Sequence, residues 1–316
     1  MATARPERRA LRSMNSDVEL MAYGCRPFRR LDRAAAWLRG FERRFSRFEP
    51  SSELSRLNAS AGARFKVSPQ MLRLLLLSMH LAERSGGLFD PTVLRRLEAA
   101  GYDRTFEQVT GRVEEPPAAI RPEGVSWKDV TIDQAHRTVT LPPASGIDLG
   151  GIGKSWAVDR LSSIIGKPGM VNAGGDLFAA GRPHDADAWL VGVENPFFPE
   201  RDLAVLAVRD RGVATSTTRR RQWLDGRRWS HHLIDPSSGE PSTSDAVQVA
   251  AVAESCLLAD YHAKVALLMG LSGGLDYLAA TGGVEGLMVG TDKVVYTTGL
   301  RSYLVSLQAE GECIGD

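Results

Sequence analysis

The segment Ile147-Asp148-Leu149-Gly150-Gly151-Ile152-Gly153-Lys154-Ser155 constrains this chain more than any other. A carboxylate opens it, and Gly150, Gly151 and Gly153 bend it. A helix signal follows at once. Ala157, Val158, Leu161, Ile164 and Ile165 recur at helical spacing, and Gly166 and Pro168 stop the run. A glycine-rich loop therefore feeds a helix N-terminus. Such an end exposes unpaired N–H groups and a partial positive charge, which suits a phosphate. Lys154 adds a full charge at its mouth. The spacing is neither a Walker A loop nor G-x-G-x-x-G, and a glycine turn ahead of a helix is also an ordinary structural device. The residues that accompany the loop have to decide between the two.

Bulk properties narrow the field. The chain has 316 residues, 43% hydrophobic and 24% charged, as a soluble globular protein has. A formal net charge of +1 gives no argument for nucleic acid or an anionic membrane as partner. Cys25, Cys256 and Cys313 are too few and too far apart to imply a disulfide framework or a cysteine zinc site. The start carries Arg5, Arg8, Arg9 and Arg12 but no apolar core of a signal peptide. Apolar stretches such as Leu74–Leu77 are far too short to span a bilayer. The expectation is a cytoplasmic protein without membrane insertion.

Along the chain, residues 1–13 read as a basic, disordered arm. Val18–Tyr23 reads as a first strand, and Leu31–Phe45 as an amphipathic helix through Leu31, Ala35, Leu38, Phe41 and Phe45. A loop and short helix follow, with Ser52 and Ser55 placed for a cap. Pro69–Ser85 is a leucine-rich helix ended by Gly86-Gly87. Residues 101–145 are polar and proline-bearing, an excursion with short strands at Val130–Asp133 and Thr138–Leu141. Strands are expected at Met170–Asn172, Trp189–Val193 and Leu203–Val208, and Asp225-Gly226 signals a hairpin. Ala246–Ala253 alternates like a half-buried strand. Glu254–Met269 is helical and stops at Gly270, and the pair Gly286–Val289 and Val294–Thr297 closes the fold. The mixture lacks a regular βαβ alternation, which favours an α+β arrangement. One domain over 14–306 is expected, with a tail at 307–316.

Several motifs occur in one order: Ser52-Glu53-Leu54-Ser55-Arg56-Leu57-Asn58, Phe89-Asp90-Pro91-Thr92, Asp148-Leu149-Gly150-Gly151-Ile152-Gly153-Lys154 and Asn172-Ala173-Gly174-Gly175-Asp176. They continue with Ala214-Thr215-Ser216, His232-Leu233-Ile234-Asp235-Pro236 and Ala259-Asp260. Together they resemble the ApbE family of FAD:protein FMN transferases over roughly Met14 to Leu300. The resemblance implies a T-fold-like α+β architecture. It implies cleavage of FAD at its pyrophosphate, transfer of FMN to a threonine of a partner flavoprotein, release of AMP, and assistance by Mg²⁺.

Residue by residue, the resemblance makes Asp148 the acidic neighbour of the nucleotide and Lys154 a nucleotide contact. Leu88, Phe89 and Asp90 form a nucleotide-lining turn, and Met14 and Phe48 an apolar and an aromatic wall. Thr215 and Ser216 border the same ligand. Leu233 or Ile234 offers a backbone contact after the motif histidine, His232. The carbonyl of Gly151 and the carboxylate of Asp260 are the implied metal ligands, His232 and Asp260 are the implied catalytic residues, and Lys264 joins them as a candidate peculiar to this chain. Other readings stand beside these: Phe48 and Met14 as core residues, Asp90 and Asp148 as caps, His232 as a partner for a backbone carbonyl.

The sequence departs from the family where Asp-x-x-x-Thr is usual on the last helix and Asp260-Tyr261-His262-Ala263-Lys264 stands instead. A protonated lysine cannot ligate Mg²⁺. A unit charge pair at about 4 Å is worth roughly 4 kcal/mol at an effective dielectric near 20, and a divalent ion meets about twice that. Either Lys264 takes over the place of the cation, or it swings aside and the metal stays. Met14-Asn15-Ser16, in place of Met-Gly-Thr, and Thr217, in place of glycine, are further departures. Those two reshape the nucleotide pocket without abolishing it. The lysine on the last helix keeps open a non-catalytic FAD-binding protein, and an FAD pyrophosphatase that yields FMN and AMP stands as the other alternative.

Overall fold

The structure is a computed structural model and describes residues 5–110, 124–225, 228–308 and 311–314. The strands in chain order are β1 Glu7–Ser13, β2 Ser16–Ala22, β3 Arg64–Lys66, β4 Thr131–Asp133, β5 Thr138–Thr140, β6 Gly169–Ala173, β7 Asp176–Ala180, β8 Trp189–Glu194 and β9 Asp202–Val208. They continue as β10 Arg211–Thr217, β11 Gln222–Asp225, β12 Arg228–His231, β13 Gln248–Ala253, β14 Glu285–Val289, β15 Val294–Thr297, β16 Leu304–Leu307 and β17 Gly311–Ile314. The helices are α1 Pro27–Phe45, α2 Glu53–Ala59, α3 Pro69–Arg84, α4 Leu94–Ala99, α5 Phe106–Thr110, α6 Gly153–Ile165 and α7 Cys256–Ala280. The expected α+β class holds. Gly226 of the expected hairpin turn, and positions 111–123 of the excursion, lie outside the described residues.

The chain falls into two compact units. One comprises Met1–Gly40, Lys154–Arg219 and Ser244–Asp316; the other comprises Phe41–Gly153 and Arg220–Thr243. The first unit is built on a nine-stranded sheet in the order β1-β2-β6-β7-β10-β13-β14-β15-β17, with a smaller sheet β16-β9-β8. Leu177, Val191, Leu206, Val213, Val252 and Leu287 belong to the apolar core of this unit. The second unit carries the sheet β3-β5-β4, the hairpin β11-β12 and helices α2 to α5. One of its cores gathers Leu97, Tyr102, Val109, Trp223 and Ile234.

Three expectations are corrected. The basic arm is a strand over Glu7–Ser13, paired antiparallel with β2. Its arginines are answered from neighbouring elements: Arg12 pairs with Asp17 at 3.1 Å, Arg8 with Glu19 at 3.6 Å and Arg9 with Asp32 at 2.6 Å. Met14 and Asn15 make the two-residue turn with positive φ at both, 53° and 55°, the geometry that suits strand twist. β13 is buried on both faces rather than one, because it lies between β10 and β14 under α7. The last long helix does not stop at Gly270. It breaks there, at φ 81° and ψ 176°, and a second helical segment runs to Ala280. The Asp245 carboxylate accepts the Leu271 N–H at 2.8 Å and so restarts the helix. A Cβ on residue 270 would stand 2.7 Å from that oxygen, which leaves only glycine at the break.

The start of α7 is held from α6. Asp159 accepts the N–H groups of Cys256 at 2.8 Å and Leu257 at 3.0 Å, and Ser255 caps with its hydroxyl on Leu258 N–H at 3.2 Å. Burial pushes the Asp159 carboxyl up to about 6, against those two backbone bonds, which hold it down. The native state therefore binds this proton more tightly than the unfolded chain, so stability from this group is greatest in acid and is lost as pH rises through about 6. Asp159→Asn removes that titration. Urea unfolding of the wild type should lose up to about 3 kcal/mol between pH 4 and pH 7 that the variant does not lose, the variant being the weaker of the two at the acid end.

Candidate active site

In the first unit the start of α6 gathers two carboxylates and two ammonium groups. Lys154, in the first turn, stands 2.9 Å from Asp176 Oδ2. Asp176 opens β7 directly after the turn Gly174-Gly175, where both glycines have positive φ, 63° and 99°. The Asn172 side chain accepts the Gly175 N–H at 3.0 Å and the Gly174 N–H donates to the Asp17 carbonyl at 3.1 Å. A Cβ on residue 174 would meet Ser16 Oγ at 3.0 Å, and the φ of 63° there also favours glycine.

One residue along, Ser155 Oγ donates to Asp260 Oδ2 at 2.8 Å. Lys264 Nζ donates to the other oxygen, Asp260 Oδ1, at 2.8 Å. The spacing of four on α7 puts the two on one helical face. Asp176 and Asp260 are both buried. Burial raises the Asp176 carboxyl above the usual carboxylate range, Lys154 opposes this, and the like charge of Asp260 adds to it. The Cys256 thiol is pushed up by burial and by Asp176, Asp159 and Asp260, which keeps it an inert core group.

Thr215 and Ser216 lie on β10 opposite Ala250 and Val249 of β13, Ser216 buried and Thr215 half-buried. Thr217 closes the strand: its hydroxyl donates to the Val247 carbonyl at 3.1 Å and accepts the Arg219 N–H at 3.2 Å, a use that glycine cannot supply. Met14 stands half-buried at the tip of the β1–β2 turn.

In the second unit the glycine loop is organised by Asp148. Its Oδ1 accepts the Gly150 N–H at 2.7 Å and its Oδ2 pairs with Arg47 Nε at 2.8 Å. A Cβ on residue 150 would come within 2.8 Å of Oδ1, and one on residue 151 within 3.0 Å of the Phe89 ring. These glycines thus admit the close approach of a carboxylate and an aromatic ring. Arg47 lies against two rings: its guanidinium is 4.2 Å from the centre of Phe48 and 4.6 Å from that of Tyr102, and it donates to the Tyr102 carbonyl at 2.8 Å. Tyr102 in turn packs on Trp223 at 5.3 Å. Phe48 is therefore part of a cluster of tilted aromatic rings around a guanidinium.

Asp90 is used locally. Its Oδ1 accepts both N–H and hydroxyl of Thr92, at 2.7 and 2.6 Å, and its Oδ2 the Trp127 N–H at 3.3 Å. Leu88 is half-buried beside Phe89, whose N–H donates to Ser85 Oγ at 3.0 Å. Leu233 has its N–H on His231 Nδ1 at 3.3 Å and its carbonyl accepting the Ser242 N–H at 2.9 Å, and Ile234 is a core residue. His231 Nε2 reaches the Ser242 carbonyl at 3.0 Å, so the ring is neutral with its proton on Nε2, and burial lowers its pKa accordingly. His232, the motif histidine, is half-buried beside it.

Sequence reading passed over Asp176, Ser155 and Arg47. Asp176 was visible as the end of Asn172-Ala173-Gly174-Gly175-Asp176, and Arg47 as the neighbour of Phe48; Ser155 carried no signal of its own. The implied Mg²⁺ does not fit at Asp260. Both of its oxygens are taken, one by an ammonium group, and among the described residues no group of three or more His, Cys, Asp or Glu side chains could hold a metal ion.

Comparison with known proteins covers the stretch of chain that carries these motifs. The sequence profile of the ApbE family matches residues 14–288. The FAD:protein FMN transferase of Klebsiella pneumoniae is 29% identical over 285 residues, covering 85% of this chain and 75% of the relative. That of Treponema pallidum is 30% identical over 262 residues, covering 77% and 72%. Among solved structures, the ApbE protein of Thermotoga maritima superposes with a TM-score of 0.80 at 22% identity, covering 90% of this chain and 94% of that one. The flavin transferase ApbE of Vibrio cholerae gives 0.78 at 23%, covering 95% and 100%. At these identities the structures establish the shared fold.

The Arg47–Asp148 pair makes a direct prediction. Truncating one partner strands a buried charge, whereas removing both does not. Asp148→Leu alone should destabilise the protein by about 3–5 kcal/mol in chemical unfolding, and Arg47→Met/Asp148→Leu by clearly less.

Proposed function

Because the chain belongs to the ApbE family, we propose that it is an FAD:protein FMN transferase, with FAD as substrate and a threonine of a flavoprotein as acceptor. The threonine oxygen attacks the phosphorus on the FMN side of the diphosphate. A phosphoester P–O bond forms, the anhydride P–O bond breaks, and AMP leaves with the bridging oxygen. The hydroxyl proton passes to a base, a role proposed for His232.

The observation that carries this reading is the buried charge cluster at the first turn of α6. Lys154 is paired with Asp176 there, and α7 reaches the same turn through the Ser155–Asp260 hydrogen bond. A helix N-terminus with an ammonium group beside it is suited to a diphosphate and to the charge that develops on it as the anhydride breaks. No step is routed through a divalent ion, since the residues around Asp260 do not fit one.

Incubation with FAD and a purified flavoprotein domain bearing an acceptor threonine tests the proposal. The expected products are AMP and a covalently flavinylated acceptor that stays fluorescent on a denaturing gel. AMP with free FMN contradicts transfer in favour of hydrolysis, and intact bound FAD contradicts catalysis. Lys154→Met should slow AMP release by about 100-fold, the size of losing one donor to developing charge.

A further inference from the structure

We propose that the ammonium of Lys264 occupies the place of the divalent cation at Asp260, so that this protein binds FAD and transfers FMN without Mg²⁺. The inference rests on the FAD-binding reading above and adds the identity of the counter-charge.

Three observations carry it. Each carboxylate oxygen of Asp260 already accepts a hydrogen bond, Oδ2 from Ser155 Oγ at 2.8 Å and Oδ1 from Lys264 Nζ at 2.8 Å, so a cation on Asp260 would lie beside an ammonium group. The lysine pair is enclosed, with side chains 15% and 8% exposed, so its geometry is set by packing rather than by solvent. The charges also balance. Lys154 and Lys264 stand against Asp176 and Asp260, two positive and two negative, whereas a threonine at 264 would leave the cluster one positive charge short. An ammonium group also serves phosphate directly, as a point charge and donor. The diphosphate would then be held by two lysines from two helices, Lys154 on α6 and Lys264 on α7.

The test is FAD titration by calorimetry, once in EDTA and once in millimolar Mg²⁺, on the wild type and on Lys264→Thr. The wild-type Kd is expected to change less than about twofold between the two conditions, and the variant to bind about tenfold or more weakly in EDTA and to recover with Mg²⁺. Mn²⁺ added to the wild type should keep its full free-ion paramagnetic resonance signal. A wild-type Kd that tightens about tenfold with Mg²⁺, or a Mn²⁺ signal quenched in proportion to protein, overturns the inference while leaving the transferase reading intact. A variant whose binding matches the wild type in both conditions also overturns it. If the variant does not fold, the wild-type titration and the Mn²⁺ signal decide. Absence of FAD binding in both conditions removes the parent reading and this inference with it.

Discussion

Two carboxylates, Asp176 and Asp260, are buried where α6 meets α7, and the first unit is arranged to make that tolerable. An isolated buried carboxylate costs several kcal/mol. Each here has a lysine at hydrogen-bond distance, and Asp260 a serine as well. The partners come from α6 and from α7 itself, so the relative placement of those two helices is a condition of burying the charge. Asp159 fixes the same crossing one helical turn along, by accepting the first free N–H groups of α7. The apolar residues that surround these helices supply cohesion; the polar contacts decide which residue faces which.

Such an arrangement is poor economy for a fold and good design for a site. Apolar residues of similar volume would stabilise the crossing as well or better. On the reading proposed above, the charges provide a fixed, partly dehydrated set of ammonium groups beside a helix N-terminus, oriented before a diphosphate arrives. The glycine loop in the second unit follows the same logic. Asp148 there satisfies a backbone N–H and a buried guanidinium together, and a Cβ on residue 150 or 151 would displace that carboxylate or the Phe89 ring from its present close approach.

Much of this was legible in the sequence, for identifiable reasons. The glycine loop and its helix, the Ser52 cap and the leucine-rich α3 follow from periodicity and punctuation, signals that are local. The errors were non-local. The arginines of β1 read as solvated until Asp17, Glu19 and Asp32 are seen beside them. Gly270 read as a stop because the residue that restarts the helix, Asp245, lies a full strand and half a helix earlier in sequence. β13 read as half-buried because alternation cannot show that a helix covers its second face. For the site, Lys264 stands out as an ammonium where a ligand hydroxyl is usual, the spacing of four puts it on the face of Asp260, and the structure shows the pair formed. Asp176, the partner of Lys154, was quoted inside a motif without a role, since a pairing between a helix start and a distant hairpin leaves no trace in spacing.

The most direct measurement is a crystal structure of the complex with FAD grown in the presence of Mg²⁺. The account predicts diphosphate oxygens within about 3 Å of Lys154 Nζ and Lys264 Nζ, with the Lys264–Asp260 contact kept and no metal between Asp260 and the phosphates. A nucleotide whose diphosphate lies away from the first turn of α6, or a Mg²⁺ on Asp260 with Lys264 displaced, would contradict it.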